Sequence, residues 1–303
     1  MPVALVPDGL SDQRADLGAA RLFGVSRSRI EQAALAGLLK LDGVPVTKSA
    51  RLSSGALLEV DLETPPPVQI NPALVEGMGI VYQDADIVVV DKPAGIAAHP
   101  SLGWQGRSVL EHLAAAGIEV STSGPAERRG IVSRLDVGTS GLMVVARSEM
   151  AYTALKRAFS ERVVSKTYHC LVQGYPDPLQ GTIDAPIGHA KTEEWKMAID
   201  AKGRGAISHY QVLEVVKKAA LVAVQLETGR THQIRVHMAA IHHPCVGDLL
   251  YGADPVLSAT LKLTRQWLHA VELGLEHPRS AQPLLFTSPY PSDLARSLEA
   301  LRG

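Results

Sequence analysis

The alternation of apolar and polar positions divides this chain into a small leading unit and a longer second one. Arg14 to Leu22 and Ser26 to Leu38 read as two short helices, with Ser26 and Ser28 offering N-caps for the second. Lys40-Leu-Asp-Gly-Val-Pro-Val46 reads as strand–turn–strand about an Asp-Gly pair, and Gly55 opens a further strand, Ala56 to Leu62. Together these predict a compact unit over residues 12–63. Thr64-Pro-Pro-Pro67 then starts a stiff, extended linker expected over 64–78, and a second domain is expected over 79–303.

In the second domain, Ile80 to Tyr82 and Ile87 to Val90 read as strands joined by Asp84-Ala-Asp86. A short helix is expected within Gly106 to Ala115 and an exposed loop from Gly117 to Arg129. Leu142 to Ala146 is an unbroken apolar run, short and β-branched, which predicts a buried strand. Ser148 caps a helix reaching about Val163, with Ala151, Ala154, Leu155, Ala158 and Phe159 on one face. Ser165 to Gln173 and Ala220 to Glu227 read as strands, and Thr231 to Ile241 as a helix capped by Thr231. This irregular alternation predicts an α+β domain on a mixed, largely antiparallel sheet with flanking helices, joined to a small N-terminal α+β domain.

Composition changes this picture little. With 303 residues, 46% hydrophobic and 20% charged, the chain has the make-up of a soluble globular protein. The opening Met-Pro-Val-Ala-Leu-Val-Pro-Asp has no basic segment, so it does not read as a signal peptide, and no apolar run approaches a membrane span. Cys170 and Cys245 lie far apart in sequence without a C-x-x-C, so neither a disulfide framework nor a zinc site is suggested. A cytoplasmic monomer is expected. The net charge of −1 is not that of a strongly basic nucleic-acid binder. The local distribution differs: Arg128, Arg129, Arg134, Arg147, Lys156, Arg157, Arg162 and Lys166 cluster around the segment with the most chemical promise, as a phosphate-binding rim would.

That segment is Gly130-Ile-Val-Ser-Arg-Leu-Asp-Val-Gly-Thr-Ser-Gly-Leu142, where Asp136 sits on a tight loop before the apolar run. An Asp in such a turn often bonds its own backbone. Yet Arg134-Leu135-Asp136 with Thr139-Ser140-Gly141-Leu142 resembles the signature of the large-subunit rRNA pseudouridine synthases of the RluA/RluD type: His-Arg-Leu-Asp, two variable residues, then Thr-Ser-Gly-Leu. Ser133 stands in place of the His. Further blocks carry the same resemblance in order: Asp91-Lys-Pro-Ala-Gly95 with His99-Pro100; Lys166-Thr-Tyr168; Thr228-Gly-Arg-Thr-His-Gln-Ile-Arg-Val-His237 with His243-Pro244 and Gly247-Asp248 through Tyr251-Gly252; and Leu268-His-Ala270 with His277-Pro278. The leading unit resembles the S4 RNA-binding domain, most tellingly at Ser26-Arg27-Ser28-Arg29-Ile30, which places the likeness nearest the RluD subgroup.

The resemblance implies an isomerase that turns uridine into pseudouridine, in 23S rRNA or, as in related enzymes, in tRNA. Breaking the C–N glycosidic bond develops positive charge at the sugar carbon, which calls for an ionised carboxylate, and Asp136 is its candidate. The resemblance further implies Arg230 as the cation that keeps Asp136 charged, and Tyr168 as proton acceptor or wall under the uracil. Arg134 would fill the gap left by an extruded base, and Arg27, Arg29 and Lys92 would meet RNA. Nothing is gained or lost in the reaction, so no cofactor is expected, and no P-loop, dinucleotide fingerprint or H-E-x-x-H is present. His232, His237, His242 and His243 lack an acidic partner at metal-site spacing. Two other classes fit parts of the pattern: a catalytically silent RNA-binding assembly factor, and a metal-dependent nucleic-acid hydrolase.

Overall fold

Asp42 and Gly43 both take positive φ, 52° and 78°, as a two-residue hairpin turn between right-twisted strands requires. That hairpin belongs to the first of two compact units into which the chain divides, residues 1–67 and 68–303. The computed structural model describes residues 2–25, 27–62, 70–101, 104–190, 193 and 196–303. Ser26 and the proline-rich stretch 64–67 lie outside the described residues.

The first unit runs β1 (Val3–Leu5), α1 (Ala15–Phe23), α2 (Arg27–Leu35), β2 (Leu39–Leu41), β3 (Val44–Pro45) and β4 (Leu57–Val60). The strands form one sheet in the order β1-β4-β2-β3. Residues before 12 therefore belong to this unit, since β1 pairs with β4. Ala15, Ala19, Ile30, Leu39, Leu52, Leu58 and Val60 form its core.

Arg27, which the sequence suggested as a phosphate ligand, is 48% exposed and paired within its own unit. Its Nε and Nη2 donate to Asp16 Oδ2 at 3.0 and 2.8 Å, and it lies 3.2 Å from Glu31. Asp16 is fully buried; burial pushes its carboxyl up, but bonds from Arg14 and Arg27 outweigh this and hold it at about 2. The guanidinium is committed to its own unit. Arg29 forms no ion pair among the described residues.

The second unit contains β5 (Gly79–Gln83), β6 (Ile87–Lys92), α3 (Val109–Ala115), β7 (Ser140–Ala146), α4 (Glu149–Ser160), β8 (Ser165–Gln173) and β9 (Gln180–Asp184). There follow β10 (Ile187–His189), β11 (Met197–Ile199), β12 (Ile207–Val216), β13 (Ala219–Leu226), α5 (Gln233–Ala240), α6 (Pro255–Thr260), β14 (Leu268–Glu276), β15 (Pro283–Thr287) and α7 (Ser292–Arg302). A nine-stranded sheet, β5-β6-β7-β14-β8-β13-β12-β9 with β15 beside β14, spans the unit. All its pairings are antiparallel except β7 with β14. The expected mixed, largely antiparallel sheet is what the chain forms. No helix among the described residues is long and apolar enough to cross a membrane.

The apolar run in β7 is unbroken because both faces are covered. Leu142 and Val144 pack under Ala151 and Leu155 of α4, while Met143 and Val145 pack against Val109, Leu110 and Leu113 of α3. Ser108 caps α3 and Ser148 caps α4, each accepting from the N–H three residues on. Farther along the sheet, α5 covers one face through Ile234 and Met238, and α7 the other through Leu294 and Leu298. Cys170 and Cys245, distant in sequence, meet in the α5-side core, where the Cys170 contact and burial push the Cys245 thiol up. Where β7 meets β14 in parallel, Gly141 sits at φ 112°, and a Cβ there would lie 2.3 Å from the Ala270 carbonyl oxygen. Only glycine lets the two strands come together at that point.

Candidate active site

Asp136 stands on the loop leading into β7, in a turn closed by the Thr139 N–H donating to the Asp136 carbonyl at 3.0 Å. Its side chain is 22% exposed and opens into a small recess of about 60 Å³ with Arg134, Thr139, Tyr168, Arg230 and residues 231–234 at the start of α5. Through Arg134, Leu135, Tyr168 and Arg230 this recess continues into an open cleft of about 800 Å³. A carboxylate, an aromatic wall and a helix N-terminus thus share one small space at the foot of a large one.

The cation beside Asp136 is Arg235, not Arg230. Arg235 Nη1 lies 3.6 Å from Asp136 Oδ2, while its Nε and Nη2 donate to the two oxygens of Asp248 at 2.7 and 2.9 Å. The guanidinium also lies 4.8 Å from the Tyr251 ring centroid. Burial would push Arg235 down, but Asp248 and Asp136 outweigh it and raise it above its ordinary value. Arg230 instead donates from Nε to the Gly205 carbonyl at 2.9 Å, and its N–H donates to Gln233 Oε1 at 3.0 Å. The cause is where the helix begins. Gln233 ties the Thr228–Arg230 turn down, so α5 starts at Gln233 and its first inward-facing cation is Arg235. The signal was present in the sequence: an arginine between Ile234 and Val236 on a helix otherwise turned to the core, with an acid thirteen residues on at Asp248.

Thr231 does not cap α5. His232 holds the N-cap position in the left-handed region, φ 56°, without a side-chain cap bond. Thr231 Oγ1 instead accepts a hydrogen bond from Arg134 Nη2. His232 Nδ1 lies 2.8 Å from Tyr251 Oη, which also accepts from the Met197 N–H at 3.2 Å. Burial pushes His232 down toward its neutral form.

Tyr168, on β8, is half-buried and borders both the recess and the cleft. Burial, and then the charge of Asp136, push its phenol well above the ordinary value, so the resting group is the phenol and not the phenolate. Any proton it accepts has to be matched by loss of its own.

Lys92 is fully buried and cannot reach RNA, contrary to the sequence-based expectation. Its Nζ donates to the carbonyls of Pro93, Ile96 and Val137 at 3.0, 2.8 and 3.3 Å. Three acceptors match the three N–H bonds of an ammonium. Burial pushes Lys92 down to about 7, the Asp136 charge opposing and Arg265 adding to the fall. The motif lysine braces the backbone under Asp136.

The cleft gathers most of the basic run. Arg128, Arg134, Lys156, Arg157, Arg162 and Lys166 border it, with Ser133 and Phe159. Arg147 is turned away, donating to the carbonyls of Asp84 and Glu119. Arg157 pairs with Glu161 and Arg162 with Glu227, each at 2.8 Å, at the exposed surface.

Three comparisons bear on this site. Residues 86–240, from β6 to the end of α5, match the model of the RNA pseudouridylate synthase family. An uncharacterised RNA pseudouridine synthase of Mycobacterium bovis is 59% identical over 299 residues, 98% of this chain and 97% of that one. The ribosomal large subunit pseudouridine synthase D of Pseudomonas aeruginosa is 41% identical over 309 residues, 99% of this chain and 95% of that one. Among solved structures, human RNA pseudouridylate synthase domain containing 1 aligns with a TM-score of 0.58 at 30% identity, covering 73% of this chain and 86% of that one.

Proposed function

Because this chain belongs to the RNA pseudouridylate synthase family, as an enzyme of the RluA/RluD type that isomerises uridine in RNA, we propose that its target lies in large-subunit ribosomal RNA, 23S rRNA in a bacterium. The carrying observation is the likeness, over nearly the whole chain, to relatives named as ribosomal large subunit pseudouridine synthases. In this reading it works as a cytoplasmic monomer.

The geometry of the site supports the following chemistry. An extruded uridine enters the recess with its glycosidic bond beside Asp136. As C1′–N1 breaks, the carboxylate stabilises the charge growing on the sugar, and Arg235, 3.6 Å away, orients it. Uracil turns within the recess, C5 bonds to C1′, and the C5 proton leaves. Tyr168 lies against the ring and takes that proton while releasing its own to water, and N1, freed by the cleavage, takes up a proton from water. Arg134, anchored at Thr231, occupies the space the base has left, and the cleft cations hold flanking phosphates. The first unit serves as an S4-type RNA clamp, with Arg29 as its phosphate ligand.

Pseudouridine mapping of total RNA from cells with and without the protein tests the target. Loss of modification at one or a few large-subunit rRNA uridines is expected. Loss confined to tRNA would move the substrate, and no loss anywhere would favour an assembly factor. Deleting residues 1–67 should leave a folded second unit that binds rRNA more weakly, with a salt slope flatter by roughly 1 for each phosphate that is no longer neutralised. An unchanged slope would remove the clamp.

A further inference from the structure

The loop carrying Asp136 is held from outside at each of its next four residues. The Val137 carbonyl accepts from the Gly95 N–H at 2.8 Å as well as from Lys92. The Gly138 carbonyl accepts from Arg265 Nη1 at 3.1 Å, and Thr139 Oγ1 from Gln266 Nε2 at 3.1 Å. Ser140 Oγ meets His269 Nδ1 at 2.9 Å. Three of these grips come from one short segment, residues 265–269, that leads into β14. A Cβ on Gly138 would stand 2.5 Å from Gln266 Oε1, so a glycine lets the loop lie this close to that side chain.

The segment is itself held by α7. Arg265 Nε and Nη2 donate to the two carboxylate oxygens of Asp293 at 2.7 and 3.1 Å. Trp267, fully buried, donates from Nε1 to the Leu294 carbonyl at 3.0 Å and lies 2.9 Å from Ser297 Oγ. Arg265 is only 10% exposed. Burial pushes the Asp293 carboxyl up, yet the Arg265 bonds and charge hold it below its ordinary value.

We propose that Arg265 is a positioning residue for Asp136, and that through it the C-terminal helix α7 acts as a strap on the catalytic loop. The planar guanidinium is squared against Asp293 by two parallel bonds, which leaves its third nitrogen aimed at the Gly138 carbonyl, two residues past Asp136. Fixing that carbonyl sets where the Asp136 carboxylate stands relative to Arg235 and to the sugar carbon. A displacement of about 1 Å in such a group can cost on the order of 10²-fold in rate. A lysine at 265 could neutralise Asp293 but could not fix all three directions. This rests on Asp136 being the catalytic carboxylate.

The test uses the full-length protein on an unmodified transcript of the large-subunit rRNA of its source organism, in single turnover at saturating enzyme. Asp293→Asn keeps shape and removes the charge that squares Arg265. Its rate should fall about 10-fold, with the half-saturating enzyme concentration within about 2-fold of wild type. Leu301→Ala, in the last turn of α7 and 7% exposed, weakens the helix without touching Arg265 and should keep the wild-type rate below its melting temperature. If Asp293→Asn does not fold, Arg265→Lys carries the same comparison. A wild-type rate in the charge variant overturns the strap. So do equal rate losses in the charge variant and Leu301→Ala at matched melting temperatures. Asp136→Asn is assayed alongside: turnover by that variant overturns both the strap and the reading beneath it, whereas a dead Asp136→Asn beside an unaffected Asp293→Asn removes the strap alone.

Discussion

Arg235 and Lys156 are both helix-borne cations serving the same cavity system, and they are used in opposite ways. Arg235, beside Asp136, is 9% exposed; all its polar edges face Asp248 and Asp136, and one face lies over Tyr251. Lys156, at the rim of the cleft, is exposed and forms no ion pair among the described residues. The same contrast separates Lys92 and Arg265 below from Arg128 and Arg157 above. In the floor each charge has been taken out of water and given partners that fix its direction, a costly arrangement that is only stable when complete. At the rim the charges keep their hydration and offer a field, not a geometry. Chemistry needs the first; holding a flexible polyanion needs the second.

Breaking the floor should therefore stop the reaction without loosening RNA, and breaking the rim should do the reverse. The largest effect is expected from Asp136→Asn, which keeps shape and removes the charge: turnover should fall by at least about 10³-fold with RNA affinity within a few-fold. Residual turnover near wild type would take Asp136 out of the mechanism. Arg235→Met comes next, with a loss of about 10²–10³-fold in rate and about 3–5 kcal/mol of stability, because Asp248, 3% exposed, is left buried without its partner. Calorimetry and single-turnover rates read both, and a stable, active variant would show that the pair is dispensable.

Tyr168→Phe sharpens the boundary between floor and wall. Loss of the hydroxyl should slow formation of pseudouridine by about 10²-fold while uridine is still consumed. Near-wild-type rates with Phe and collapse with Ala would leave Tyr168 as an apolar wall only. The smallest effects belong to the rim. Lys156→Ala should cost less than about 1 kcal/mol in RNA affinity, flatten the salt slope by roughly 1 and leave the saturated rate unchanged. A rate effect there would erase the distinction between floor and rim.

The sequence reveals the rim better than the floor. Clustered Arg and Lys are visible without any fold, and six of the eight residues in the run border the cleft. The floor depends on register. Arg230 and Arg235 both lie in the same motif, and only the start of α5 at Gln233 decides which one faces Asp136. Lys92 has the formula of an RNA ligand, yet it ends β6, a strand covered on both faces, and points inward. The strands Leu142–Ala146 and Ser165–Gln173 and the cap Ser148 were legible because local pattern and tertiary burial agree there. β9, β12, β14 and α7 carried weaker patterns, and their place depends on partners far away in sequence. Arg265 and Gln266 fall between the recognisable blocks, so their grip on the loop could only be found in three dimensions.

The parallel join of β7 and β14 has a consequence for how the protein comes into being. β14 lies between β7 and β8, which precede it by about a hundred residues. While the chain is being synthesised, β5 to β7 can assemble as one ribbon and β8 to β13 as another, each ending in an open strand edge. Neither edge is covered until residues 268–276 have emerged, and the loop bearing Asp136 gains its Arg265, Gln266 and His269 bonds at the same moment. From the synthesis of residue 136 until residues 265–276 follow, the nascent chain thus carries the reactive carboxylate without the brace that aims it, and the late closing of the sheet, followed by α7, supplies that brace.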